Sequence, residues 1–154
     1  MDEPIMELQD VYSNLARNIP FLYHLLAERD IGMVSISHRV MPSPTAHREF
    51  VELRPYKDWW IIYIIVGNNR VPVGAVYLSK NDEIGIQIIK SHQRRGYGER
   101  AVRLMMQMHP ETLRFLANVN PRNGASLELF RKLGFARLQL TLKYNASKGE
   151  ENDT

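Results

Sequence analysis

Residues 83–110 read EIGIQIIKSHQRRGYGERAVRLMMQMHP, and the order of patterns in that stretch decides the fold. Ile84, Ile86, Ile88 and Ile89 form an apolar, β-branched run of strand length. A polar turn with two glycines, residues 91–98, follows it. From Glu99 to about Met108 the apolar residues recur at helical spacing, and Pro110 stops the pattern. The stretch is strand, glycine turn, helix. A helix N-terminus exposes unpaired N–H groups and carries partial positive charge, and glycines let that backbone come close to a ligand. Such a turn is an anion site, most naturally for phosphates. Arg94, Arg95 and Arg100 add mobile positive charge around it.

Working outward, residues 5–18 carry Leu8, Val11, Tyr12 and Leu15 at helical spacing, which predicts a first helix broken at Asn18-Ile19-Pro20. Phe21 to Arg29 is expected as a second helix with Pro20 in its first turn. Met33 to Ser37 alternates and reads as a short strand, and Ser43 or Thr45 is placed to cap a helix through His47 and Phe50. Trp59 to Val66 is the strongest strand signal in the chain. Val71 to Ser79 and Glu83 to Lys90 complete an antiparallel meander with it, with Pro72 at a strand start or edge. Leu113 to Val119 is expected as a strand, Asn123 as the cap of a helix ended by Gly134, and Phe135 to Tyr144 as a last strand. The order predicts an α/β (α+β) fold, a mixed sheet with helices packed on it. Residues 1–145 are expected to form one domain, and 146–154 a disordered polar tail.

Composition narrows the function. The chain has 154 residues, no cysteine and a formal charge of +3. Without cysteine there is no disulfide scaffold, thiolate metal site or cysteine nucleophile. The N-terminus is acidic rather than a signal peptide, and the longest apolar run, Trp59 to Val66, is too short to cross a bilayer. The expectation is a cytoplasmic protein with neither membrane nor metal. The mild excess of positive charge favours anionic ligands without forming the basic stripe of a nucleic-acid binder.

Two familiar phosphate motifs fail. GxxxxGK[ST] is absent, and Gly96-Tyr97-Gly98 does not continue as a dinucleotide fingerprint. What remains is Q-x-x-G-x-G, Gln93 to Gly98, followed by N-x-x-S-x-x-x-F-x-K-x-G-F, Asn123 to Phe135. With both elements in this order, residues 33–144 resemble the GNAT superfamily of N-acetyltransferases. The resemblance implies a mostly antiparallel central sheet flanked by helices, with the N-terminal helices as additions. It implies acetyl-CoA or another acyl-CoA as cofactor. Its pyrophosphate would meet the backbone of Arg94, Arg95, Gly96, Tyr97, Gly98 and Glu99. Its pantetheine arm would pair with Ile88, Ile89 and Lys90 in a cleft where strands 83–90 and 113–119 splay apart. Asn123 would reach the cofactor, and Ser126 and Phe130 would face the thioester.

Acetyl transfer to an amine needs a base and a donor that polarises the thioester carbonyl. Glu83 is the first choice of base, with His38 and His47 as alternatives in the acceptor region. His92 reads as a phosphate neighbour, and His24 and His109 as ordinary helix residues. The tyrosine that many family members use to protonate the departing thiolate is phenylalanine here, Phe130. The expected function is direct transfer of acetyl from acetyl-CoA to a primary amine of a small molecule: an amino sugar, a polyamine or an amino acid. The alternatives are a non-catalytic acyl-CoA sensor and a protein N-acetyltransferase. A homodimer through a sheet edge or the N-terminal helices fits either use.

Overall fold

The computed structural model describes residues 3–29 and 41–146. Its centre is strand β2, Asp58–Val66, whose residues 61–64 are all buried. A strand covered on both faces reads as a continuous apolar run, which is why WWIIYIIV stands out in the sequence. Around it lie β1 (Ile5–Asp10), β3 (Asn69–Leu78) and β4 (Ile84–Ile88). The sheet order is β1-β2-β3-β4, antiparallel at every pair. Four α-helices accompany it among the described residues: α1 (Leu15–Glu28), α2 (Pro44–Glu52), α3 (Tyr97–Gln107) and α4 (Gly124–Lys132).

Alternation along the strands sends successive side chains to opposite faces. Ile62, Ile64, Val76, Leu78 and Ile84 meet Tyr97, Ala101, Val102 and Met105 of α3 and Phe130 of α4. On the other face Trp59, Ile61, Tyr63 and Ala75 meet Ile19, Leu22 and Leu25 of α1 and Val51 of α2. Tyr56 stacks on Tyr77 at 3.8 Å between ring centres, with Trp59 edge-on to both. These rings are core and strand packing on one face, and Met105 packs in the core on the other. His109, just past α3, has Nε2 2.5 Å from Asp58 Oδ2 and Nδ1 3.0 Å from Glu111 Oε1, so it ties the end of α3 to the start of β2.

Several expectations are corrected. Residues 5–10 are a strand, not the start of a helix. Met6 and Leu8 turn inward at a two-residue period, and Glu7 pairs outside with Arg70 at 3.0 Å. The helical spacing of Leu8, Val11, Tyr12 and Leu15 arose across a junction, a 3-10 turn at Val11–Ser13 capped by Asp10. Pro20 does not divide two helices. It lies inside α1, exposed, and its missing N–H removes one bond from a helix anchored by four buried residues. Pro72 lies at an edge as expected: it sits opposite Tyr63 at a register shift between Ile62 and Tyr63, outside the β3–β4 ladder. Among the described residues, 113–119 form no ladder and make one parallel bridge, Leu116 with Glu83. Among the described residues, 135–144 join no ladder, and Leu138, Leu140, Leu142 and Tyr144 are exposed. The expected strand at Met33 to Ser37, and His38, lie outside the described residues.

His47 of α2 is buried at 6% exposure, edge-on to Tyr23 at 5.3 Å, and its Nδ1 has no hydrogen-bond partner among the described residues. Tyr23 is itself fixed by donating to Pro42 O at 2.9 Å. Burial holds the imidazole below its ordinary value. The unfolded chain titrates near the ordinary value of about 6.5, so below it the unfolded state binds the extra proton first. The contribution of neutral His47 is therefore complete above about pH 6.5 and is lost as pH falls. Urea midpoints measured from about pH 7.5 to 5 should decline less steeply for His47→Gln than for the wild type; parallel curves would remove His47 from the pH dependence.

Candidate functional site

β4 is bonded to β3 on one side and almost free on the other. At its start Ile84 N–H donates to Leu116 O at 2.7 Å, and Leu116 N–H donates to Asp82 O at 2.9 Å. No further bridge to this edge is formed among the described residues. Backbone groups alternate sides along a strand, so those of Ile86 and Ile88 face the same edge as Ile84. Phe115, Ala117 and Val119 still pack on the α3–α4 core, so the chain stays near without pairing. The outer edge of β4 is thus bridged at Glu83, with no ladder bridge as far as Ile88 among the described residues. Ile88 C=O accepts from Gln93 Nε2 at 2.9 Å. Lys90 N–H donates to Glu28 Oε2 at 3.0 Å, so of the three residues expected to pair with the arm it is already engaged.

The glycine turn follows. A 3-10 turn at Lys90–His92 leads to Arg94 (φ 65°) and Gly96 (φ 78°), both left-handed. Gly96 is the N-cap of α3 and gives it no side-chain hydrogen bond. The other helices are capped: Asn14 accepts from Arg17 N, Ser43 from Ala46 N and Asn123 from Ser126 N. The first intrahelical bond of α3 runs from Arg100 N to Gly96 O at 3.1 Å. The amides of Tyr97, Gly98 and Glu99 precede it and, in a helix without a cap, are the donors left to a ligand.

The two glycines serve different ends. A Cβ on Gly96 would meet nothing within 4 Å, so its left-handed backbone is what requires glycine. A Cβ on Gly98 would lie 2.8 Å from Leu129 Cδ1 and 3.7 Å from Ile86 Cγ1 and Ile88 Cγ1. Gly98 lies close to Leu129 of α4 and to Ile86 and Ile88 of β4, so its lack of a side chain also serves packing. The expectation for Arg100 is corrected. It does not roam the turn: Nη2 donates to Pro4 O at 2.7 Å and Nε lies 3.6 Å from Glu3. Arg94 and Arg95 are exposed, with Arg95 Nη2 reaching Ser91 O at 3.5 Å. Glu99 is paired with Arg103 at 3.0 Å.

The remaining candidates are spread out. Asn123 spends Oδ1 on Ser126 N–H at 3.1 Å, leaving its amide hydrogens to donate. Ser126 is half-buried, and Phe130 is buried with its ring 5.0 Å from Phe135. Tyr97 is buried, 6.5 Å from His92 between ring centres. Ile89 packs on the α1 face of the sheet. Glu83 shares that face with Gln87 by alternation, its N–H bonded to Ser79 Oγ at 3.0 Å and its C=O to Ser79 N–H at 2.8 Å. His47 is the packed residue described above. Glu28 and Gln87, which help hold β4 and the turn in place, carried no sequence signal, because their bonds span 62 residues. Among the described residues no three His, Asp or Glu side chains gather to hold a metal ion, and no helix is long and apolar enough to cross a membrane.

Comparison with known proteins fits this geometry. No curated protein sequence matches. The fold resembles that of a domain from Methanocaldococcus jannaschii DSM 2661, at TM-score 0.74 and 19% identity over 94% of each chain. It also resembles yncA, a putative acetyltransferase from Salmonella typhimurium solved with its cofactor acetyl-CoA (TM-score 0.64, 12% identity, 87% of this chain and 80% of that one). A third likeness is to an aminoglycoside N-acetyltransferase in complex with CoA (TM-score 0.65, 14% identity, 94% and 96%). At these identities the likeness is one of fold. The sequence itself matches the family described as "Acetyltransferase (GNAT) domain" over residues 8–136, a span that takes in α1 and α2. The N-terminal helices are therefore part of the shared domain rather than additions, and the chain belongs to the GNAT acetyltransferase family.

Proposed function

We propose that the chain is an acyl-CoA-dependent N-acyltransferase that moves acetyl from acetyl-CoA directly to the primary amine of a small molecule: an amino sugar, a polyamine or an amino acid. One observation carries this reading. In a member of an acetyltransferase family, an uncapped helix N-terminus lies one turn away from an unpaired strand edge. The first suits an anionic pyrophosphate. The second suits an extended arm of amides. The amides of Tyr97, Gly98 and Glu99 would hold the phosphates, with Arg94 and Arg95 adding charge and Gly96 giving the bend. The outward N–H of Ile88 would meet the arm or the thioester carbonyl, and Asn123 would donate from the start of α4.

Bound acetyl-CoA supplies the acyl group as a thioester. With no cysteine in the chain, no thiol-linked acyl-enzyme forms, and transfer takes place within a ternary complex. Glu83, on the α1 face of β4, is our choice of base; buried His47 is better suited to packing. Phe130 has no proton to give, and a thiol with an ordinary pKa near about 8.5 leaves tolerably without one. Acetyl-CoA and CoA in the two solved neighbours support the cofactor, and the aminoglycoside enzyme supports a small amine acceptor. In this reading the protein works in the cytoplasm with neither nucleic acid nor membrane as partner, and a homodimer would use the β1 edge of the sheet or the N-terminal helix α1.

Thiol release from acetyl-CoA, followed with an aminoglycoside, spermidine, free amino acids and a peptide amine, tests the proposal. Acceptor-dependent release on a small amine is expected. Reversing charge in Arg94→Glu/Arg95→Glu should raise KM for acetyl-CoA about tenfold or more, since each lost charge-assisted contact is worth roughly 1.5–3 kcal/mol. CoA binding without turnover on any amine would favour the sensor, and no binding by folded protein would end the acyl-CoA reading.

A further inference from the structure

The last residue of α1 breaks a rule of helix electrostatics. A helix C-terminus carries partial negative charge and favours cations. α1 instead ends on Glu28, with no basic residue in its last turn. Arg29, the C-cap, and His24, one turn back, place basic groups beside it, yet the carboxylate also reaches outside the helix. Both oxygens of Glu28 are in fact engaged. Oε1 lies 3.3 Å from His24 Nε2. Oε2 accepts from Lys90 N–H at 3.0 Å.

Lys90 opens the 3-10 turn that leads into the glycine turn, and the residue before it, Ile89, supplies no side-chain cap. Glu28 therefore caps this turn from 62 residues away. One helical turn earlier, Leu25 C=O accepts from the side-chain amide of Gln87. The end of α1 is thus stitched to the last residues of β4 and to the first residue of the turn. This anchors the near end of a segment whose far end, at Arg94 and Gly96, is left-handed and exposed.

We infer that Glu28 is a positioning residue for acyl-CoA binding. Its carboxylate holds the Lys90 amide, so that the turn between β4 and α3 is already shaped when the cofactor arrives. The inference rests on the acyl-CoA reading given above. The physical gain is preorganisation: a turn fixed beforehand loses less conformational freedom on binding. An N–H donating to a carboxylate is roughly twice as strong as one donating to a neutral acceptor, so the brace is firm. Glu28 reaches the turn from the α1 face, whereas α3 lies on the opposite face. The cofactor can therefore be held by α3 without displacing it.

Calorimetric titration of CoA into the wild type, Glu28→Ala and Glu28→Gln tests this. Glutamine keeps an oxygen that accepts from Lys90 N–H; alanine does not. Alanine should weaken CoA binding about tenfold, and glutamine should stay within about threefold of the wild type. Amide exchange at Lys90 should quicken in the alanine variant and not in the glutamine variant. A role in general stability alone would lower the unfolding midpoint and leave CoA affinity unchanged. Unchanged affinity in Glu28→Ala overturns the inference, as does a loss in Glu28→Gln as large as in Glu28→Ala. If the wild type itself does not bind CoA, the acyl-CoA reading fails first and takes the inference with it.

Discussion

Both faces of the sheet are covered, and that constraint governs where a ligand can bind. Ile61 to Ile64 bury alternately against α1–α2 and against α3–α4. A buried backbone group must find a partner, so polar backbone left for a ligand is confined to strand edges and helix ends. The fold then supplies one of each in close sequence. β4 loses its outer neighbour after the Glu83–Leu116 bridge, and α3 begins without a side-chain cap. The core side of this arrangement is as specific as the polar side. Leu129 seats over Gly98, and a single added Cβ there would have to displace the Leu129 methyl.

Electrostatics in the turn follow from which charges are already spent. Arg100 is tied to the N-terminal strand, Arg103 to Glu99, and Glu28 to Lys90 N–H and His24. Arg94 and Arg95 remain exposed at the mouth of α3. A basic stretch that reads as one patch in the sequence is thus divided by the fold into structural and mobile charges. The division matters for affinity, because Arg94 and Arg95 can meet an incoming phosphate without breaking an ion pair.

The parts of the fold legible in the sequence were those specified locally. Residues 58–88 announced themselves as strands through β-branched and aromatic runs parted by Gly67-Asn68 and Asn81-Asp82. Asn123 showed its capping role because a cap acts within three residues. Residues 5–10 were misread because their inward residues, Met6 and Leu8, are too few to fix a two-residue period, while Val11 and Leu15 beyond the junction completed a helical one. Residues 113–119 and 135–144 carry strand composition, yet pairing depends on neighbours that composition cannot specify. In the site, Gln93 and the glycine turn were legible as a motif. The service of Gly98 to packing, the commitment of Arg100 and the bond from Glu28 were not, since each depends on a partner distant in the chain.

The central claim is that the open N-terminus of α3 and the free edge of β4 form one ligand site. Amide hydrogen exchange followed residue by residue, with and without acetyl-CoA, tests it most directly. The account predicts slower exchange at Tyr97, Gly98, Glu99 and Ile88 when acetyl-CoA is present, and no change at the capped starts of α1 and α2. Unaltered exchange at those four amides, or protection gathered elsewhere in the chain, would contradict it.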